Sequence, residues 1–344
     1  MEKESFNRTT IKTIAKAAGV SHTTVSRALN DSSLVKPQTK LKIKRLADEM
    51  GYIPDINAKG LVSNKAYVVG IYFSRLQSGT SSNFLAESIR QVKKSLADYT
   101  LAINGIDLMH GESDMLRNGK PDGALFISQS QDDDSYIQYM HDNGVPVVVI
   151  NRKTEITGVT NVVPDEYHGV FQAIEYAIRL GHKKFGLIKG TPRFTSTYYR
   201  EKGFRDAIAK HSDAAVIEKA VVDGNYSRES GFHAMNKILM SDELPSLVFC
   251  SNDETAAGAI KSCQKFGLRV PDDISLMGFD NADYARFMVP GLTTIYKPVE
   301  EITRIGVEQL KSLMESGPKV KVEQTLKEIV TTELIIRDSV ADLR

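Results

Sequence analysis

Cysteine is nearly absent from this 344-residue chain, and the two that occur, Cys250 and Cys263, rule out a disulfide framework and a cysteine-built metal site. Cys250 ends an apolar, strand-like run and Cys263 falls on a helical stretch, so both read as reduced structural thiols. No apolar run is long enough to cross a bilayer, and the opening Met-Glu-Lys-Glu-Ser-Phe-Asn-Arg lacks the apolar core of a signal peptide. A cytoplasmic protein without a membrane partner is expected. Also missing are a Gly-x-Gly-x-x-Gly turn after the first strand, a Walker-type phosphate loop and a His-Glu-x-x-His helix. The seven histidines are scattered, Asp132-Asp133-Asp134 reads as a solvated loop, and Asp272-Asp273 belongs to a Pro-Asp-Asp turn before a strand. No catalytic residue, metal or cofactor is expected, and the chain reads as a non-enzyme.

Charge is scarce only in the sum, which is +1. Residues 1 to 65 carry twelve Lys/Arg against six Asp/Glu, and the remainder thirty-two against thirty-seven. A basic head on an acidic body suits phosphate binding by the head alone. The length accommodates two or three domains, each large enough to bury a core.

What is present begins at Thr10-Ile-Lys-Thr-Ile-Ala-Lys-Ala-Ala-Gly-Val-Ser-His-Thr-Thr-Val-Ser-Arg-Ala-Leu-Asn30. Ile11, Ile14, Ala15 and Ala18 recur at helical spacing, and Gly19 supplies a permissive turn. Ser21 is placed to cap a second helix that carries Val25 and Leu29 inward. This pattern predicts a helix-turn-helix and points to DNA, although such turns also join purely structural helix pairs. A third helix is predicted from Pro37 to Met50, with Pro in its first turn and Leu41, Ile43 and Leu46 closing the small core. Lys36 cannot accept from helix amides, so that end is uncapped or satisfied by Thr39 or water. Lys36, Lys40, Lys42 and Lys44 either reach phosphates or form a solvated face.

From Ala66 onward, short β-rich runs alternate with helix-length amphipathic segments, which predicts parallel sheets covered by helices. The strands expected are Tyr67 to Phe73, Leu101 to Ile106, Gly123 to Ile127, Val145 to Ile150, Lys184 to Ile188, Ser246 to Phe249 and Ile274 to Met277.

Ala18-Gly-Val-Ser21, Thr24-Val-Ser-Arg27 and Asn30, followed by Gly51-Tyr-Ile-Pro54 and Asn57-Ala-Lys-Gly-Leu61, resemble the lactose-repressor (LacI/GalR) family of transcription regulators. The likeness continues through Gly181-His182, Asn252-Asp253, Gly278-Phe279-Asp280 and Leu292-Thr-Thr-Ile295, nearly the whole chain. It implies an α/β fold class: a helix-turn-helix head on a periplasmic-binding-protein-like body of two Rossmann-like parallel-sheet halves. The implied domains are 1–54 for the head, 55–65 for a hinge helix and 66–344 for the body. One half takes about 66–164 plus 296–326, the other about 165–295 plus 327–344. Relatives carry a full helix between Ile106 and Asp122 where this chain offers only a short, Gly-punctuated stretch, so the first half is trimmed there.

The resemblance further implies that the helix beginning near His22 reads base edges, with His22, Thr23, Thr24 and Arg27 as its readers. Asp55 to Asn64 would be the hinge helix, where Leu61 wedges between base pairs from the minor groove and Asn57, Ala58 and Lys59 line the groove. An ordinary polar linker is the alternative for that segment, and Asp55 favours it, since a carboxylate near phosphates is unfavourable. Ser74, Arg200, Tyr226, Asn252 and Asp280 are the implied effector contacts. An Arg fork and a carboxylate suit adjacent hydroxyls, and an aromatic face suits the apolar side of a sugar ring. Asp165 and His168 could also reach the cleft.

The function expected is a homodimeric repressor that binds a pseudo-palindromic operator and responds to a small sugar. The dimer is favoured because the chain shows no leucine-heptad tail after Leu334-Ile-Ile-Arg337. The rival readings are a sugar-binding transport protein, a carbohydrate-acting α/β enzyme using Asp280 or Asp165, and a regulator controlled by a protein corepressor.

Overall fold

The computed structural model describes residues 9–29, 31–52, 66–76, 81–316 and 327–344, and its backbone forms two compact units, Met1–Lys65 and Ala66–Arg344.

In the first unit, α1 (Ile11–Ala18), α2 (His22–Leu29) and α3 (Pro37–Glu49) enclose Ile14, Val25, Ala28, Ile43 and Ala47. Thr10 caps α1 by accepting from the Thr13 amide at 3.3 Å while the Thr13 hydroxyl accepts from the Thr10 amide at 2.8 Å. Gly19 ends the helix at φ 71°, a left-handed conformation that a Cβ disfavours. Ser21 Oγ accepts from the Thr24 amide at 3.1 Å and so starts α2. Ser21→Ala is expected to cost about 1 kcal/mol of head stability. Faster hydrogen exchange of the α2 amides would register it, and unaltered exchange would mean the hydroxyl contributes nothing. Leu41 departs from expectation, being 70% exposed. It lies about 200° around the helix from Ile43, so the two cannot face one core. Ala47, one turn after Ile43, takes the inward place, and Lys36 makes no side-chain cap.

The second unit is built on two six-stranded sheets among the described residues. The first contains β1 (Val68–Phe73), β2 (Thr100–Gly105), β3 (Gly123–Ile127), β4 (Val147–Ile150), β5 (Thr160–Pro164) and β11 (Lys327–Val330), ordered β11-β5-β4-β3-β1-β2 and all parallel. The second contains β6 (Lys184–Ile188), β7 (Ala215–Val222), β8 (Leu247–Cys250), β9 (Ser275–Asp280), β10 (Thr293–Tyr296) and β12 (Glu333–Ile335), ordered β12-β10-β9-β8-β6-β7. Only the β10–β12 pairing there is antiparallel. Strands such as β3 and β4 are buried along their whole length because helices cover both faces, which explains their unbroken apolar runs. Alternate side chains feed two cores per sheet: Ile71, Leu125 and Ile127 on one face of the first, Tyr72, Ala124 and Phe126 on the other.

The covering helices are α4 (Ser82–Ser95), α5 (Asp134–Asp142) and α10 (Val299–Ser316) on the first half, and α6 (Glu166–Arg179), α7 (Thr195–Ala209), α8 (Arg228–Leu239) and α9 (Asp253–Lys265) on the second. Between Ile106 and Asp122 stand only two short 3-10 turns, Ile106–Leu108 and Glu112–Leu116. The chain passes between halves after β5, after β10 and between β11 and β12. Strand Lys327–Val330 therefore belongs to the first sheet, which moves 327–330 out of the expected second-half segment 327–344, while Glu333–Ile335 pairs with β10 in the second sheet. Its Lys-Glu-Ile-Val sequence completes the β5 edge in parallel register before the chain crosses.

His182, buried at the start of the second half, contacts Ser246 Oγ through Nδ1 at 3.0 Å and the Ala341 carbonyl through Nε2 at 3.1 Å, pinning the C-terminal segment. Burial holds its pKa below the ordinary 6.5, so the folded state favours neutral imidazole. Its stabilising contribution is present above pH 6.5 and is lost as pH falls through the lowered folded value. Urea midpoints between pH 8 and 5 are expected to fall with pH, and less steeply in His182→Gln; equal slopes would remove His182 from the titration.

Candidate functional site

In the head, α2 turns Val25 and Ala28 inward, which leaves His22, Thr23 and Arg27 exposed. Their side chains have no hydrogen-bond or ion-pair partner among the described residues, whereas the Thr24 hydroxyl lies 2.9 Å from Ser21 Oγ in the cap. A short helix thus presents an imidazole, a hydroxyl and a guanidinium at its outer surface. Asn57, Ala58, Lys59 and Leu61 lie outside the described residues.

In the body, polar side chains gather where strands end, the usual position for ligands in open α/β sheets. Arg200, on the second turn of α7, is almost wholly buried. Its Nη2 donates to Glu166 Oε1 at 2.6 Å and lies 3.8 Å from Asp280 Oδ1, and its Nη1 donates to the Ser251 carbonyl. The guanidinium stacks on Phe279 at 3.7 Å and stands 5.7 Å from the Tyr226 ring. Burial alone would lower its pKa, but Glu166, Tyr226 and Asp280 outweigh that and raise it. Asp280, at the end of β9, is pushed upward by burial and partly restored by Arg200 and Lys297.

Tyr226 is held at φ 66° on the loop after β7. Its hydroxyl lies 2.8 Å from Ser196 Oγ and 2.9 Å from Thr197 Oγ1, and its ring stacks on Phe194. Asn252 caps α9, accepting from the Thr255 amide at 2.9 Å and donating to the Tyr226 carbonyl at 3.1 Å. The structure thus brings Arg200, Tyr226 and Asp280 together, with Asn252 behind Tyr226. Ser74 sits on the first half, where its hydroxyl donates to Asp133 and accepts from the Gln129 amide at 2.7 Å.

Several residues of this cluster escaped the sequence reading. Lys297, directly after β10, is buried, donates to Asn151 Oδ1 and lies 3.8 Å from Glu166 Oε1. Asn151 Nδ2 donates to the Ser128 carbonyl at 3.0 Å, and Arg152 Nε donates to Ser128 Oγ at 2.6 Å. Ser128 Oγ in turn donates to Asp133, so a continuous polar chain runs from Ser74 across to Arg200. The available signal was position: Ser128, Asn151, Glu166 and Lys297 each follow a strand's carboxyl end. A pocket flanks this chain, lined among others by Asn151, Glu166, Tyr167, Thr195 and Tyr199. Asp165 lines it too but is committed to capping α6, with its carboxylate 2.9 Å from Nδ1 of the largely exposed His168. The halves also meet through a Ser130–Phe194 backbone bridge, the Thr195 amide on the Gln129 carbonyl at 2.9 Å, and Arg193 on Asp132 at 2.6 Å.

Among the described residues, no group of three His, Cys, Asp or Glu side chains could hold a metal, and no helix is long and apolar enough to cross a membrane. A helix-turn-helix head and a two-sheet body with polar side chains between its halves define a class, the DNA-binding regulator with a ligand-binding-type body. Residues 10–55 match the model of the bacterial regulatory proteins of the lacI family, and residues 174–340 match a periplasmic binding protein-like domain. The chain is 40% identical over 335 residues to a protein of Bacillus subtilis (strain 168) described as probable HTH-type transcriptional repressor ExuR, covering 97% of this chain and 99% of that one. It is 34% identical over 340 residues to the HTH-type transcriptional repressor PurR of Pectobacterium carotovorum, covering 97% of each. This chain belongs to the lacI family of bacterial regulatory proteins. Among solved structures, the lac repressor dimer bound to operator and the anti-inducer ONPF superposes with a TM-score of 0.81 at 22% identity, covering 97% of this chain and all of that one. A CelR–cellobiose complex does so at 0.71 and 24%, covering 96% of this chain and all of that one. Both share the fold.

Proposed function

We propose that the protein is a repressor that reads a pseudo-palindromic operator as a homodimer and is switched by a small sugar or sugar derivative in the cleft. The observation that carries the proposal is the polar cluster at the strand ends, in which a guanidinium, a carboxylate and an aromatic ring converge within 6 Å of Arg200. That is the donor, acceptor and stacking surface a pyranose needs. The unpartnered outer face of α2 supports base reading by His22, Thr23 and Arg27, with Thr24 on the same helix. Two-fold pairing is supported by the exposed Phe287 and Val289, 74% and 83% accessible, two residues apart on one loop. Within this reading 1–54 is the head, 55–65 the hinge and 66–344 the body, and Asn57, Ala58, Lys59 and Leu61 make the minor-groove contacts.

Selection of bound duplexes from a random pool is expected to return an inverted repeat; recovery of unrelated sequences would overturn specific reading. Arg27→Ala should then weaken that site by about 1–3 kcal/mol, with a smaller loss on random DNA. An equal loss on both would reassign Arg27 to the phosphates. For the switch, a sugar at a hundredfold excess over its dissociation constant should add about 2.7 kcal/mol to stability. Because linkage is reciprocal, it should also change operator affinity, and an unchanged affinity would sink the switch.

A further inference from the structure

The cleft holds more unsatisfied donors than a neutral ligand calls for. Arg200 Nε is buried and has no hydrogen-bond partner among the described residues. Lys297 is 6% exposed and carries three N–H donors, of which one goes to the Asn151 amide oxygen, and the ammonium also stands 4.6 Å over the Phe84 ring. The carboxylate nearest to both cations is one and the same: Glu166 Oε1 stands 2.6 Å from Arg200 Nη2 and 3.8 Å from Lys297 Nζ. The Asp280 carboxylate accepts no hydrogen bond among the described residues and reaches Arg200 only at 3.8 Å, which leaves its oxygens open to hydroxyl groups.

We propose that Lys297 and Arg200 together form a subsite for an anionic group, so that the effector is a sugar acid or sugar phosphate and Glu166 is the built-in counter-ion that competes with it. The proposal rests on the reading of this cleft as the effector site. A buried cation that shares one carboxylate oxygen with a second cation is poorly compensated, and desolvation is costly unless an opposing charge arrives in good geometry. A ligand carboxylate or phosphate supplies acceptor oxygens for Arg200 Nε and the spare Lys297 donors through charge-assisted hydrogen bonds, which a neutral hydroxyl cannot match. The hydroxyls of the same ligand face Asp280, whose carboxyl burial pushes upward while Arg200 and Lys297 hold it back.

The test is calorimetric titration of the full-length protein with matched probes: glucose against glucuronate, gluconate and glucose 6-phosphate, and galactose against galacturonate. At least one anionic probe should bind tenfold or more tightly than its neutral parent, and the carboxylate and phosphate arms separate the two anions. Lys297→Gln should remove most of that advantage, Lys297→Arg should keep part of it, and Glu166→Gln should increase it; the Arg variant guards against a fold that merely tolerates no change. A neutral parent that binds as tightly as its acids, or an advantage unmoved by Lys297→Gln and Lys297→Arg, overturns the anionic subsite and leaves the sugar switch standing. If no sugar of either kind binds, both fall.

Discussion

Arg200→Met is expected to lower the unfolding free energy of the body by about 3–5 kcal/mol, the loss typical when one partner of a buried ion pair is removed. The cause is what remains: Glu166, 5% exposed, would keep only Lys297 at 3.8 Å. The Ser251 carbonyl would also lose its donor, and the Phe279 and Tyr226 rings their cation. Adding Glu166→Gln to the same chain should return part of the stability, because the stranded charge is then gone. Urea unfolding of the wild type, both single variants and the double variant closes the cycle. Strictly additive losses would show that Arg200 and Glu166 are not coupled and that the pair is incidental. The same substitution should erase any ligand-induced rise in stability.

Gly258→Val is expected to cost about 3 kcal/mol or more, since overpacking by even a few methylenes costs about 1–3 kcal/mol and this site has no room for the first. α8 and α9 lie so close that a Cβ on Gly258 would be driven into the Arg228 carbonyl oxygen, and one on Gly231 into that of Thr255. The obstruction is backbone, which cannot rotate aside. Around this contact pack Ala234, Met235, Ile238, Ala256, Ala259 and Cys263, and Ser262 donates to Asn236 across the helices at 2.7 Å. Separating the axes to admit a valine would loosen all of them. Gly267→Ala, where open space surrounds an αL turn, serves as the contrasting case and should cost less. If the two variants unfold at the same denaturant concentration, close helix approach is not what selects glycine at 258.

The head was legible almost residue by residue because its determinants are local: a period of apolar residues, a glycine and a capping serine. The error at Leu41 arose from treating three apolar residues as one face when the helix turns them apart. In the body, β3, β4 and β6 announced themselves as apolar runs, whereas β5, Thr-Asn-Val-Val-Pro, and the half-exposed β7 carry too much polar character to be told from loop. Arg200 and Asp280, which meet in this cluster, were named through family likeness. Glu166, Asn151 and Lys297 were not, because they meet only in three dimensions: Lys297 and Asn151 are 146 residues apart and reach each other only after the sheets have formed and the chain has crossed. A charged residue after a strand is common, and nothing local distinguishes one that will be buried.

Glu166 and Lys297 stand on two of the three passages of chain between the halves. Arg193–Asp132 and the Ser130–Phe194 bridge stand on loops after β6 and β3, strands that carry no passage. If one half rotates on the other about those passages, atoms on the axis travel least and atoms far from it travel most. The Glu166–Lys297 contact then works as a bearing, retained as the jaws part, while Arg193–Asp132 works as a clasp that must come undone. A group lodged against the bearing acts with a short lever arm, so small changes in charge there would be read out as large displacements at the far lip.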